Sequence, residues 1–296
     1  MTAKPSVIGD APRRREDARF VIGQGAYLDD LHFDDLAHGV FLRSPHAHAT
    51  IAGIDTTAAR AAPGVLAVLT ASDVAADGLR PIRPVTEANV QTGEPFAFFP
   101  QPLLADGKVR HAGEPVALII AATRAQAMDA AELVAVDYTP LPAITTSAAA
   151  LASDAPLIAE EVPGNICLDW RTGDAAAVEA AFAAAAHVVR LTLDNHRIVT
   201  HPMEPRAVVG AYANGRYTLH VSSQNIHGNR DLTARALDVS PDAVRFIAPD
   251  VGGGFGAKNF QYAEFPLIAW AAKRVGRPVK WIATRSECFV SDHQGR

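Results

Sequence analysis

Short apolar runs broken by glycine and proline dominate the chain from residue 39 onward. "GVFLRS" (39–44) and "AHATIAGID" (47–55) read as strands, with the Pro45 region turning between them. "TTAARAA" predicts a short helix and "VLAVLTA" (65–71) another strand. Residues 78–105 hold five prolines and no period, which predicts a long loop crossing a surface. "KVRHAG" and "PVALIIAA" follow as a strand pair. Thr123 then opens the helix "RAQAMDAAELV", with Gln126 three residues on to complete a capping box. Prolines 140 and 142 close this unit after "AVDYTPLPAI", and "TTSAAALASDAP" reads as a linker.

A second unit begins behind that linker. Asp174 caps the alanine-rich helix "AAAVEAAFAAAAH", which feeds a predicted strand "VVRLTLDN". "RAVVGAY" and "YTLHVSSQ" form a hairpin, the Asn-Gly pair of "ANGR" supplying the turn. "HGNRDLTARALDV" is helical. The strand "VRFIAP", a glycine cluster, a helix over about 258–275 and the strand "PVKWIAT" complete the pattern. Strands and helices mix without strict βαβ alternation, so the expected class is α+β in both units. The division is an extended polar arm over 1–18, a first unit over 19–143, a linker over 144–157 and a second unit over 158–296.

Composition changes this picture little. The chain is 49% hydrophobic and 20% charged with a net charge of −5, which does not favour nucleic acid or acidic lipid. "RRR" at 13–15 is offset by Glu16 and Asp17, and no apolar signal region follows it. Without a long apolar stretch to span a bilayer, the expected location is the cytoplasm. The two cysteines, Cys167 and Cys288, cannot hold an iron–sulfur cluster or a cysteine-rich zinc site. Each is expected to be a buried, inert thiol.

Candidate chemistry centres on "DVGGGFGAKNF" (250–260), where four glycines and Phe255 fill positions 252–256 behind an apolar strand. A phosphate-binding P-loop is excluded, because Ala257 precedes Lys258 and Asn259 follows it. Gly252, Gly254 and Ala257 fit a dinucleotide fingerprint, but "PVKWIAT" ends in Thr284 where an acidic residue is expected. That leaves a nicotinamide-dependent dehydrogenase as the weaker alternative. The third reading is a tight turn whose N–H groups approach an oxyanion or metal-oxo ligand at a helix N-terminus. A turn with no ligand stays open beside it.

Four ordered stretches decide between these: "PMEPR" (202–206), "SSQNIHGNR" (222–230), "APDVGGGFGAK" (248–258) and "GRPVKWIATRSECFVSDHQGR" (276–296). Together they resemble the large, molybdenum-binding subunit of the xanthine dehydrogenase, aldehyde oxidase and aerobic carbon monoxide dehydrogenase family. "RREDARFVIGQGAYLDDL", "LRSPHAHATI" and "ADGKVRHAGEPVALIIAATRAQAMDAAELVAVDYTPLPAI" resemble its α/β hammerhead domain. The resemblance runs from about residue 8 to the end. It implies a hammerhead domain followed by the first part of an α+β molybdopterin-binding domain.

The resemblance also implies a molybdenum hydroxylase that oxidises an aldehyde, an N-heterocycle, a similar small molecule or carbon monoxide, with water as the oxygen source. Molybdenum on a pterin, in the cytosine dinucleotide form, is the implied cofactor. Electrons would leave through [2Fe–2S] clusters and FAD on an iron–sulfur small subunit and a flavin medium subunit. Gln224 matches the glutamine whose amide donates to the apical oxo group. Gly254 and Phe255 match the pair beside the metal, and Gly253 and Gly256 are expected to bind the cofactor with them, with no direct side-chain ligation. Phe255 and Asn259 would face the substrate. Purine-oxidising relatives carry glutamate where this chain has Asn259, so the resemblance argues against xanthine. Glu204 and Arg206 are expected as a buried pair holding the cofactor shell. His46 and His48, on one face of a strand, are expected to be structural. Family large subunits run to more than twice this length, and the general base and the copper-binding cysteine lie on the later part. No catalytic residue is therefore assigned here, and Cys288 is not the copper ligand. The C-terminal remainder is an expected partner, and the alternative to an active component is a non-catalytic remnant or assembly module.

Overall fold

The structure, a computed structural model, describes residues 8, 9, 11 and 13–293. Much of the expected arm and the last three residues of the final motif lie outside that range. The first unit runs α1 (Asp17–Val21), β1 (Ala37–Arg43), β2 (Ala49–Asp55), α2 (Thr57–Ala61), β3 (Val65–Leu69), α3 (Ala71–Ala76), β4 (Lys108–Val109), β5 (Pro115–Ala121), α4 (Arg124–Glu132) and β6 (Ala135–Pro140). After α5 (Ser147–Ala150) and α6 (Ala175–Ala184) come β7 (Ala207–Ala213), β8 (Arg216–Val221), α7 (Ile226–Ala236) and β9 (Val244–Ile247). The last elements are α8 (Glu264–Val275), β10 (Val279–Ile282) and α9 (Arg285–Ser291).

Local signals set several of these ends. Thr123 accepts from the Gln126 N–H and Gln126 accepts from the Thr123 N–H, closing the capping box of α4. Asp174 caps α6 through the Ala177 N–H. Asn214 and Gly215, at φ 51° and 78°, turn the β7–β8 hairpin, since both central positions of a tight hairpin turn need left-handed backbone.

Pairing differs from the sequence expectation in two places. β4 and β5 do not pair with each other. β4 joins β2 and β6 in a small sheet, whereas β5, buried along its whole length, lies between β3 and β1. The predicted strand 188–195 forms no ladder. Its alternate apolar residues Val189, Leu191 and Leu193 are 90, 79 and 81% exposed, and no strand among the described residues lies beside it to pair its backbone.

The two sequence units share one mixed sheet, ordered β3-β5-β1-β10-β7-β8-β9. β1 runs parallel to β10 and so joins strands of the first unit to those of the second. β8 connects through α7 to parallel β9. α8 is apolar nearly all round, from Phe265 to Ala272, and is accordingly buried against the sheet. Gly39 and Gly210 let it approach, since a Cβ on either would fall 2.9–3.0 Å from Ile268.

An ionic cluster lies buried at this seam. Arg43 on β1 donates to Glu264 and Glu287 at 2.6 Å each. Arg206 donates to Asp292 at 2.6 Å and to Glu264 at 3.3 Å, with its guanidinium 3.7 Å from the Tyr262 ring centre. Burial alone would raise the Glu264 pKa, but Arg206 and Arg43 outweigh it and hold the carboxyl at about 2. Because that folded value lies below the unfolded value of about 4.3, the carboxylate stabilises the fold above the unfolded value. The contribution is lost as pH falls towards 2. Glu264→Gln should cost about 3–5 kcal/mol at neutral pH, because it leaves buried cations without their partner. It should also flatten the acid side of the stability curve. Urea unfolding at pH 7, 5 and 3 checks both, and an unchanged midpoint at pH 7 would refute the assignment.

Candidate functional site

The glycine cluster follows β9 and turns against two side chains from elsewhere in the chain. Gly253 and Gly256 sit at φ 92° and 91°, where a side chain would be strained. Gly252 and Gly254 need glycine for space. A Cβ on Gly252 would lie 2.4 Å from Glu204 Cβ, and one on Gly254 would lie 2.4 Å from Gln224 Cδ. Phe255 takes φ 51°, uncommon for a bulky residue, and the residue is 72% exposed.

Gln224 stands three residues past β8, where the chain turns into α7. Its Oε1 accepts from the Gly256 N–H at 3.0 Å and its own N–H donates to the Lys258 carbonyl at 2.9 Å. Because an N–H can pair only with the amide oxygen, this bond fixes the amide's orientation. Its amino group donates to no described residue, and Gln224 as a whole is exposed. The N–H groups of Gly253, Gly254 and Phe255 likewise donate to no described residue. The structure thus brings Gln224, Gly253, Gly254, Phe255 and Gly256 together, with Gln224, Phe255 and Gly256 exposed, Gly253 half-buried and Gly254 buried.

The expected helix from 258 does not start there. Ala257–Asn259 form a single 3-10 turn and α8 begins at Glu264. The Ala257 carbonyl accepts from the Tyr262 hydroxyl at 2.6 Å, and the Lys258 carbonyl accepts from Gln224 N and Ser223 Oγ. Neither carbonyl receives the i+4 amide of an α-helix, each being directed at these other donors instead. The loop therefore lacks a helix terminus behind it, and its donors are single N–H groups. Asn259 ends the 3-10 turn and is exposed, three residues beyond Gly256, whose carbonyl accepts from its N–H at 3.1 Å.

Glu204 and Arg206 do not pair with each other. Arg206 belongs to the seam cluster, while Glu204 points to the loop. Glu204 Oε2 accepts from Ser222 Oγ (2.5 Å), Gly252 N (2.8 Å) and Lys258 Nζ (3.0 Å), and Oε1 accepts from Leu28 N (3.2 Å). Burial lowers the Lys258 pKa, and Glu204 partly offsets that. Sequence reasoning passed over Lys258, Ser222 and Leu28; the apolar neighbourhood of a lysine behind a glycine cluster was the available signal.

The first unit straps the loop from its other end. Arg19 forms a two-pronged pair with Asp250, which also accepts from the Ala26 N–H at 2.8 Å. The Arg19 and Ala26 hydrogen bonds hold the Asp250 carboxyl at about 2. Between strap and loop lies a cavity of about 860 Å³ whose walls include Tyr27, Met203, Glu204, Gly253, Phe255 and Thr284.

Other sequence candidates fall outside this site. His46 and His48 lie in the bend before β2, not on a strand. His46 packs on Tyr138 and His48 bonds the Pro142 carbonyl, so both are structural. Among the described residues no cluster of three or more His, Cys, Asp or Glu side chains could hold a metal. Cys288 is buried in α9 as expected, but Cys167 is exposed, because its segment packs on no core.

Residues 22–142 match the aldehyde oxidase and xanthine dehydrogenase a/b hammerhead domain family, and residues 158–296 match the molybdopterin cofactor-binding domain family. The carbon monoxide dehydrogenase large chain of Afipia carboxidovorans is 36% identical over 95% of this chain and 35% of its own length. The nicotine 6-hydroxylase large subunit of Paenarthrobacter nicotinovorans is 37% identical over 97% of this chain and 34% of its own. Quinoline 2-oxidoreductase from Pseudomonas putida 86 superposes with a TM-score of 0.88 at 35% identity, over 99% of this chain and 36% of that one. The chain thus spans about a third of the length of these relatives. With both of its units matched in order, the chain belongs to the molybdenum hydroxylase family of xanthine dehydrogenases, aldehyde oxidases and carbon monoxide dehydrogenases, and corresponds to the hammerhead and first molybdopterin-binding portion of the family's large subunit.

Proposed function

We propose that this chain supplies one wall of the molybdenum site in a hydroxylase that oxidises a small molecule with water as oxygen source. The observation that carries the reading is the Gln224 amide, whose oxygen is tied to the Gly256 N–H, which leaves its amino group without a partner among the described residues beside the unpaired N–H groups of the loop. Such neutral donors suit the oxygen ligands of a molybdenum–pterin group, because they stabilise negative charge without adding a titrating proton. That group, when bound, supplies the two-electron oxidation. Gln224 would orient it, with Gly253, Gly254 and Gly256 carrying the backbone past it, and Phe255 would exclude water and position a planar or small substrate. We favour the cytosine dinucleotide form of the pterin, and iron–sulfur and FAD subunits as electron acceptors.

Asn259 offers a neutral amide, so the substrate is an aldehyde, an N-heterocycle or carbon monoxide rather than xanthine. The general base belongs to the remainder of the large subunit. That remainder would also cover α6, all of whose residues are exposed, and the unpaired segment 188–195. Among the described residues no helix is long and apolar enough to cross a membrane, and we place the enzyme in the cytoplasm.

Four outcomes are expected. The 296-residue chain alone should bind a hydrophobic dye and show no turnover; molybdenum-dependent oxidation by it alone would sink the proposal. Assembly with the remainder should protect the amides of 188–195 from hydrogen exchange. In the assembled enzyme, Gly254→Ala pushes a methyl into Gln224 and should lower turnover on the order of 10²-fold. Melting temperature should move little. An early-melting variant with full activity per bound molybdenum would reduce the loop to a turn. Gln224→Ala should act similarly, with some loss of metal.

A further inference from the structure

We infer that Glu204 is the positioning residue of this site, a single carboxylate that fastens the glycine loop to the first unit and so sets where the loop's free donors stand. Its position is imposed from behind. Arg285 donates to the Pro202 and Met203 carbonyls at 2.6 and 2.8 Å, and His201 before them is held at φ 51°. The Glu204 N–H donates to the Gly252 carbonyl at 3.1 Å while the Gly252 N–H donates back to its carboxylate at 2.8 Å. This two-way clasp brings the backbones together so closely that residue 252 has no room for a Cβ. From the same carboxylate, Oε1 reaches Leu28 in the first unit and Oε2 holds Ser222, two residues before Gln224.

Only a carboxylate can do this, because it accepts on both oxygens and donates on neither. In Glu204→Gln, whichever way the amide turns, its amino group confronts either the Leu28 N–H or the donors on the loop side. Aspartate is a methylene too short to reach all four donors. The rival explanation is that Glu204 merely neutralises the buried Lys258 ammonium, 3.0 Å away.

The two are separated by combining Glu204→Gln with Lys258→Met, which removes both charges at similar side-chain volume. Amide hydrogen exchange at Leu28 and Gly252, measured on the full chain, is the first readout. The positioning role predicts exchange on the order of 10-fold or more faster at one of these amides in both the single and the double variant. It also predicts that the double variant regains melting temperature without regaining slow exchange. If the double variant returns both amides to wild-type rates, Glu204 is a counter-ion only and the inference is overturned. If Glu204→Gln alone does not fold, the double variant carries the test. The second readout rests on the functional reading above. In the assembled enzyme the double variant should lower kcat per bound molybdenum with little change in KM, and unchanged kcat would count against the inference. A wild-type assembly devoid of molybdenum would sink the functional reading instead, while exchange would still decide the role of Glu204.

Discussion

The short parallel seam between β1 and β10 is the constraint on which the rest depends. Only Ala37↔Val279 and His38↔Lys280 are paired there, with the Ala37 N–H reaching the Pro278 carbonyl at 2.8 Å. So brief a ladder specifies register weakly by itself. The ionic cluster beyond its end adds what the ladder lacks. Arg43, from the first unit, and Arg206, from the second, converge on the same Glu264 carboxylate, and a slipped seam would strand charge in the core. A buried cluster of this kind adds little net stability compared with apolar packing, but it penalises alternatives heavily. Its function in the fold is specificity of docking.

That docking matters because the candidate site is not built by the second unit alone. The loop's entry is held by Arg19 and Ala26 through Asp250, and its clasp residue Glu204 takes a hydrogen bond from Leu28. Residues 19–28 belong to the first unit in sequence but form part of the loop's scaffold in space. The straps lie next to the seam, since Leu28 packs on Ala207 and Val209 of β7 and Lys280 of β10 donates to the Asp29 and Leu31 carbonyls. Loosening one leaves the other to hold the loop against the whole first unit.

Signals that act within a few residues were legible in the sequence. The Thr123–Gln126 box, the Asp174 cap and the Asn214–Gly215 turn all appear where the residues placed them. The loop and Gln224 were also legible, as ordered motifs. What the sequence did not disclose depends on partners far along the chain. The β1–β10 pairing joins opposite ends of the sequence. α8 starts late, with the carbonyls an earlier helix would use directed at Tyr262 and Gln224 instead. The segment 188–195 has the alternation of a strand, but alternation cannot supply a neighbour. Glu204 and Arg206 sit two residues apart, and nothing local says that one faces the loop and the other the core.

The loop's composition has a double cause. A run of glycines suggests bare backbone presented to a ligand, yet Gly252 and Gly254 leave space that the chain's own Glu204 and Gln224 fill. A turn made only of glycine would be soft, since each residue samples left- and right-handed backbone almost equally. Parking two ordered side chains in the vacated Cβ positions removes that freedom. It also explains how Phe255 persists at a positive φ, a strain on the order of 1–3 kcal/mol that survives only where neighbours over-determine it. Gly256 is tied to Gln224 on one side of Phe255, and the Gly254 carbonyl accepts from the Ala257 N–H across it. The ring, its edge lying against Gly253, is therefore held in place by a rigid turn although most of the residue is exposed.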